Sequence, residues 1–222
     1  MDLFTYQDTP VAVADEIARS HREAWAMLAR PGTWWTADER LAIAERARHM
    51  FSLRETPPWL REAPRSHAGL DDEVVAIVDK ITFDAGNIDW AWAEQAITQI
   101  GDGAYVELIA VVATVVMIDV FAEAVGVART PLPRPEAGEP TRRRPDGLGD
   151  IGAHVAVLDP FPAANVARAL SLVPDANALF RCVSVPTYSA PGFSSLQWET
   201  PLSRPQVELV ASRVAALNEC FY

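Results

Sequence analysis

Two cysteines and four histidines are the residues whose types could support nucleophilic or metal chemistry. Cys182 and Cys220 would act as nucleophiles only as thiolates. The sequence around Cys182 is typical of a core cysteine. No two histidines have the spacing of metal ligands, and the chain has no phosphate loop or dinucleotide fingerprint, so we expect neither a metal nor another cofactor. The histidines are His21, His49, His67 and His154.

A glutamate followed by an apolar run recurs near the start of three predicted helices. The tripeptide Val-Glu-Leu occurs unchanged around Glu107 and Glu208, and a related pattern follows Glu39. Repetition of this kind indicates an internal duplication. Each glutamate alone has a simpler explanation, because the helix macrodipole favours an acidic residue in the first turn.

The last of these three segments, residues 202–222, resembles the signature of the alkylhydroperoxidase D-like and carboxymuconolactone decarboxylase-like proteins. In that signature a glutamate precedes the first cysteine of Cys-x-x-Cys by twelve residues, and a histidine follows the second cysteine by four. Glu208 and Cys220 have this spacing, and residues 218–222 match the usual lead-in. Residues 166–174 and 34–48 show a weaker similarity to members of the same family.

The resemblance implies an all-α fold, an AhpD-like helical bundle with two related helical halves. It also implies a redox pair of cysteines, one attacking the peroxide O–O bond and the other resolving the sulfenic acid as a disulfide. Cys220 would belong to this pair, and Glu208 would relay the proton together with a histidine. The implied substrate is an organic hydroperoxide, the implied reductant a lipoyl group or small thiol, and the implied assembly a homo-oligomer.

The 222 residues depart from the signature in one respect. They include Cys220 but neither the second cysteine, which attacks the peroxide in the family, nor the histidine. The earlier copies supply no substitute, since Asp119 stands twelve residues after Glu107. We therefore expect an incomplete or degenerate second copy with impaired turnover. Because twelve residues of straight helix span about 18 Å, we also expect the chain to turn near Asn218.

Two alternatives remain open at this stage. One is a carboxymuconolactone decarboxylase-like enzyme that acts on a lactone-type substrate without a cysteine pair. The other is a non-catalytic helical subunit whose apolar helices serve assembly. The genomic reading frame beyond residue 222 would discriminate best among these hypotheses.

Apolar periodicity predicts the helices that would position these residues. The predicted spans are 13–28, 36 to before Pro57, 71–83, 89–100, 105–125, 165–172 closed by Pro174, 176–183, and a last helix capped by Ser203. Residues 186–200 are predicted as a loop with a buried Trp198. No stretch alternates as a strand would, so the predicted fold class is all-α.

A proline- and glycine-rich stretch divides the chain. Residues 129–150 contain Pro131, Pro133, Pro135, Pro140 and Pro145, which favour a surface linker or flexible loop. We therefore predict an N-terminal helical repeat over 1–128 and a second, incomplete repeat over 151–222.

Composition narrows the class of partner and the compartment. A net charge of −11 argues against nucleic acid, which requires clustered cations. The uncharged run 108–118 is shorter than the ~20 residues of a membrane span, so we expect no membrane. With no leader pattern in the first fifteen residues and no disulfide framework, we expect a cytoplasmic protein.

Overall fold

The computed structural model describes residues 3–7, 9–57, 60, 67–162, 165–188 and 201–217. Within these ranges the chain is mostly helical, with eight α-helices and one two-stranded sheet. In chain order the elements are α1 Asp15–Leu28, α2 Ala37–Ser52, α3 Asp72–Phe83, α4 Trp90–Ile100, α5 Asp102–Ala124, β1 Leu148–Gly149, β2 Val157–Leu158, α6 Asn165–Arg168, α7 Pro174–Tyr188 and α8 Arg204–Leu217.

Helix α5 occupies the centre of the fold. It is apolar on all sides, as a helix surrounded by other helices must be, and it contacts α1, α2, α3, α4 and α7. The predicted core positions are confirmed, since Val111, Val115 and Ile118 are at most 1% exposed. Glu107 lies on the same helix and is equally buried.

By length and composition alone, α5 could also cross a membrane. It is the single such helix in the part of the chain that the structure describes, and 67% of its most apolar 18-residue window is buried inside the protein. Burial of that extent is compatible with the core helix of a soluble protein.

The predicted N-terminal cap of α2 is confirmed. The Thr36 hydroxyl accepts a hydrogen bond from the Glu39 N–H at 3.2 Å, and the Glu39 carboxylate accepts one from the Thr36 N–H at 2.8 Å. This reciprocal pair is the predicted capping box of α2. Asp89 accepts a hydrogen bond from the Trp92 N–H at 2.8 Å and so caps α4.

The region around Pro174 differs from the prediction. Pro174 does not close a helix; it begins α7, where the missing N–H costs no helical hydrogen bond. The preceding helix, α6, spans only Asn165–Arg168. Helix α7 also continues through Pro186, which was predicted to lie in a loop, and ends at Tyr188. The rest of that predicted loop, with Trp198, lies outside the described residues.

The predicted absence of strands is wrong at one place. Leu148–Gly149 pairs antiparallel with Val157–Leu158, which makes a sheet two residues long on each side. Strands this short carry no alternating pattern that a sequence could reveal.

Residues 129–147 have no regular secondary structure, as predicted, and wrap on the surface of the helices, whereas β1 lies within the end of the predicted linker 129–150. The Trp25 indole donates a hydrogen bond to the Pro131 carbonyl at 2.8 Å. Further along, the Glu136 N–H donates to the Ala29 carbonyl at 2.7 Å, which ties the stretch to the end of α1. Beyond it, α7 packs against α1 and α5 and buries Leu179 and Val183 in the same core.

Helix α8 contrasts with the other long helices because none of its residues is buried. The Gln206 side chain accepts a hydrogen bond from the Ser203 N–H at 2.8 Å, which confirms part of the predicted cap. The predicted apolar face of α8 is therefore exposed or only half-buried, and the helix contributes nothing to the core.

Leucine-to-alanine substitutions at Leu108 and Leu209 should have different effects on stability, because Leu108 lies in the core and Leu209 on α8. Leu108 is fully buried, so Leu108→Ala should reduce the free energy of unfolding by about 2–5 kcal/mol. Leu209 is 71% exposed, so Leu209→Ala should change it by less than about 0.5 kcal/mol. Urea denaturation followed by circular dichroism measures both. Equal losses would contradict the central position of α5.

Candidate functional site

The structure describes only one of the two residues of the predicted redox centre. Cys220 lies outside the described residues. Glu208 lies on α8 with 42% of its side chain exposed, and its Oε1 atom is 3.6 Å from Nε of Arg204, one turn earlier. The joint action of Glu208 and Cys220 in peroxide reduction therefore stays a prediction.

The other thiol, Cys182, is held in an unreactive form. It is half-buried on α7, and its Sγ atom donates a hydrogen bond to the Ser20 carbonyl at 3.4 Å. Burial, together with the nearby Glu23 carboxylate, raises the pKa of the Cys182 thiol to about 11. Because the thiolate is the nucleophile, the protonated Cys182 is a poor nucleophile at neutral pH.

A buried ion pair forms where the first of the two Val-Glu-Leu segments lies. The Glu107 carboxylate accepts a hydrogen bond from the Trp34 N–H at 2.7 Å, and its other oxygen lies 3.3 Å from Nε of Arg40. Both side chains are at most 6% exposed. Burial raises the pKa of the Glu107 carboxyl, although Arg40 and the Trp34 N–H oppose this shift.

Arg40 joins this pair to the end of α1. Its Nη1 atom donates hydrogen bonds to the carbonyls of Met27 and Arg30, at 2.9 and 2.6 Å. These carbonyls lie at and just beyond the C-terminus of α1, where a helix lacks its own donors. Burial lowers the pKa of Arg40, and Glu107 partly offsets the effect. One guanidinium thus connects α1, α2 and α5.

Two glycines make room for this arrangement. A Cβ atom on Gly32 would overlap the Glu107 carboxylate, and one on Gly103 would overlap the Trp34 indole. The turn between α1 and α2 can approach α5 only because both positions lack a side chain. Thr33, in the same turn, donates a hydrogen bond to Asp175 of α7 at 3.2 Å.

The chemistry of this buried pair is structural. The carboxylate is sealed from solvent and faces backbone N–H groups and a guanidinium, with no described thiol beside it. A group enclosed in this way cannot exchange protons with a substrate in solution. It holds the α1–α2 turn against α5.

A second buried carboxylate lies further along α5. Asp119, twelve residues after Glu107, forms an ion pair with Arg48 at 2.6 Å, and Arg129 lies 3.6 Å from its other oxygen. Burial raises the pKa of the Asp119 carboxyl, while the two arginines oppose the shift. This carboxylate joins α5 to α2 and to the beginning of the surface stretch.

Next to Asp119 lies an aromatic cluster with a titratable ring. His21 is fully buried and contacts Phe4 and Phe121 edge to face. Its Nδ1 atom lies 2.6 Å from the hydroxyl oxygen of Tyr6. Burial lowers the pKa of His21 to about 4. Burial and the Asp119 charge raise the pKa of Tyr6 to about 12, so both groups are neutral at pH 7.

Sequence reasoning missed the arginines of these clusters. Arg40 precedes Ile43, Ala44 and Ala47 at intervals of three, four and seven, which is the spacing of the buried face of α2. The sequence places an arginine on an otherwise apolar helix face and a glutamate in the most apolar helix. Together these two observations indicate a buried ion pair.

In the described ranges, no three His, Cys, Asp or Glu side chains are grouped as metal ligands would be. Comparison with known proteins adds no identification, because the chain matches no protein-family model, no curated protein and no solved structure.

Removing Arg40 should be among the most damaging single changes. We expect Arg40→Met to cost about 3–5 kcal/mol of stability, because it leaves the Glu107 carboxylate buried without a countercharge. The double variant Arg40→Met/Glu107→Met should cost less than the sum of the two single variants. Chemical denaturation of all three measures the coupling.

The exposed counterpart provides a matched control for this cycle. Glu208→Gln removes a carboxylate of the same local sequence, yet it should change stability by less than about 0.5 kcal/mol because its partner is also solvated. Additive losses at Arg40 and Glu107 would show that the pair is not coupled.

Acid should destabilise the protein through His21. Its pKa is lowered from 6.5 to about 4 in the folded state, so the unfolded chain binds the proton more readily between these values. The contribution of His21 to the free energy of unfolding is therefore fully present above pH 6.5. It falls by about 3 kcal/mol as the pH is lowered toward 4.

The comparison that isolates this effect uses His21→Phe, which keeps the aromatic contacts but cannot titrate. The difference in unfolding free energy between wild type and His21→Phe should change across pH 4–6.5 by that amount. His49→Gln, at an exposed position, should follow the wild-type profile. If the unfolding free energy of His21→Phe varied with pH in parallel with that of the wild type, His21 would not be the residue responsible for the loss of stability in acid.

Proposed function

We propose that this chain is an alkylhydroperoxidase-like protein that reduces organic hydroperoxides through a cysteine thiol, with turnover impaired in the 222 residues. The observation that supports the proposal most is the twelve-residue spacing of Glu208 and Cys220. The mostly helical fold is compatible with it. Cys182 is protonated and half-buried, which leaves Cys220 as the candidate reactive thiol.

The proposed reaction begins with the thiolate of Cys220. Its sulfur attacks the terminal peroxide oxygen, the O–O bond breaks, and the alkoxide leaves and takes up a proton to become an alcohol. The sulfur is oxidised to a sulfenic acid. In the family a partner cysteine resolves the sulfenic acid as a disulfide, with loss of water, and a dithiol such as a lipoyl group then reduces that disulfide. The 222 residues hold only one cysteine of the pair, so the proposed reaction stops at the sulfenic acid.

Glu208 is the proposed proton carrier for this step. Its carboxylate is partly exposed and lies beside Arg204, so it can exchange protons with solution. Glu107, which has the same sequence neighbours, is sealed inside the core and cannot do so. The two copies of Val-Glu-Leu would therefore have separated into a structural glutamate and a functional one.

The exposed apolar residues of α8 favour a second function, that of a non-catalytic helical subunit in a homo-oligomer. Leu209 and Leu217 are 71% and 65% exposed and lie on the same helix, which gives α8 an apolar surface that a partner chain would cover. A cysteine-independent, decarboxylase-like activity on a lactone-type substrate is the remaining outcome of the test below.

The test is peroxide consumption by the 222-residue chain, with and without excess dithiol. We expect oxidation of about one equivalent per chain and no efficient turnover, because the 222 residues lack the signature's second cysteine that would resolve the sulfenic acid. Cys220→Ser should abolish this consumption. Glu208→Gln should slow it by ~10²-fold or more, the usual contribution of a positioned acid–base group.

Cys182→Ser is the matched control for the thiol, and Glu16→Gln, on the exposed side of α1, is the control for the carboxylate. Both should behave as the wild type. Consumption that survives Cys220→Ser would refute the thiol proposal. Turnover of a lactone by that same variant would favour the decarboxylase-like alternative instead.

A further inference from the structure

Residues 3–7, here called the N-terminal segment, cover His21 from one side. The ring of Phe4 contacts His21 and Trp25 edge to face, with centroids 5.6 and 5.1 Å apart, and Phe4 is 6% exposed. The ring of Tyr6 also contacts His21 edge to face, and its hydroxyl lies 2.6 Å from Nδ1. Two aromatic side chains of one short segment therefore keep solvent from this side of the imidazole.

Few other interactions hold the N-terminal segment in place. Nη1 of Arg22 donates a hydrogen bond to the Phe4 carbonyl at 3.2 Å. Within the described ranges, no backbone–backbone hydrogen bond connects the segment to a helix. An open, polar cavity of about 550 Å³ lies between the segment and α1, and its lining includes Thr5, Gln7 and Arg19. The segment is thus attached to the helices mainly through its two rings.

The backbone of the segment is strained at the two residues whose rings are docked. The φ angle is +58° at Phe4 and +46° at Tyr6. Both values lie in the left-handed region, which is unfavourable for residues other than glycine because Cβ approaches a carbonyl oxygen. The contacts of the rings maintain this conformation, so the strain is relieved when the segment leaves the helices.

We propose that the N-terminal segment is an acid-sensitive lid over His21, which is closed at neutral pH and opens locally, with the helices intact, when the imidazole takes up a proton. A doubly protonated ring offers no acceptor to the Tyr6 hydroxyl. It also places a charge between the rings of Phe4 and Phe121, and its Nε2 atom has no hydrogen-bond partner in the described part of the chain. Opening of the lid gives this charge access to water.

Linkage gives the direction and the size of the effect. Burial under the closed lid lowers the pKa of His21 to about 4, whereas a solvated histidine has a pKa of 6.5. The open state therefore binds the proton more readily between these two values. Lowering the pH from 7 to 5 should raise the equilibrium constant for opening by ~20-fold.

The other titratable groups around His21 do not drive opening over this pH range. Tyr6 and Cys182, whose pKa values are raised to about 12 and 11, stay neutral. Burial raises the pKa of Asp119, so the closed structure takes up that proton more readily than a solvated carboxyl would, which opposes opening. The remaining charged side chains on the surrounding elements include Arg22 and Glu23 of α1, Arg48 of α2 and Arg129 just beyond α5.

Fluorine NMR of the full chain with 4-fluorophenylalanine at position 4 tests the proposal. The indole of Trp25 shifts the fluorine resonance only while the lid is closed, and saturation transfer measures the ratio of open to closed lid. Arg22→Gln removes the hydrogen bond to the Phe4 carbonyl, so it should raise this ratio at every pH and bring a rare open state within detection. In both proteins the ratio should rise ~20-fold from pH 7 to pH 5, while far-UV circular dichroism stays unchanged.

His21→Phe and His49→Gln are the matched variants. His21→Phe retains an aromatic ring under the lid but cannot titrate, so its ratio should be the same at pH 7 and pH 5. His49→Gln, at an exposed position of α2, should follow the wild type. The proposal would be overturned by an open state that is undetectable at pH 5 even with Arg22→Gln, or by an equal rise in His21→Phe. Loss of the helical signal together with opening would also overturn it, since acid would then unfold the whole chain. The measurement involves no peroxide chemistry.

Discussion

Burial of the Glu107 carboxylate is the constraint on which the surrounding structure depends. A charged group on the central helix needs compensation, which Arg40 and the backbone N–H groups of Trp34 and Thr33 supply. The α1–α2 turn must therefore lie against α5, which in turn excludes a side chain at residue 32. Arg40 then fixes the end of α1 as well, so three helices share one polar contact.

Much of the fold was accessible from the sequence because its signals are local. The capping box at Thr36 and the apolar run of α5 each act within a few residues of chain. The contact between Arg40 and Glu107 joins positions far apart, and nothing in either neighbourhood specifies the partner. Pro174 was misassigned because proline permits a helix to begin as readily as it ends one.

At the candidate site, too, the local sequence does not determine the environment of a residue. Val-Glu-Leu occurs twice, yet Glu107 is sealed in the core and Glu208 is partly solvated. Identical neighbours in sequence cannot distinguish these states, because burial is decided by which helices pack on top. The residue types and their spacing could be predicted from the sequence; the protonation behaviour of each carboxylate could not.

The place of α7 in the core has a consequence for biosynthesis. Leu179 and Val183 complete the apolar layer around α1 and α5, but they are synthesised more than fifty residues after α5 ends. A nascent chain therefore presents its most apolar helix with one wall missing until α7 has emerged from the ribosome. During that interval the incomplete core is a substrate for chaperones and a risk for aggregation.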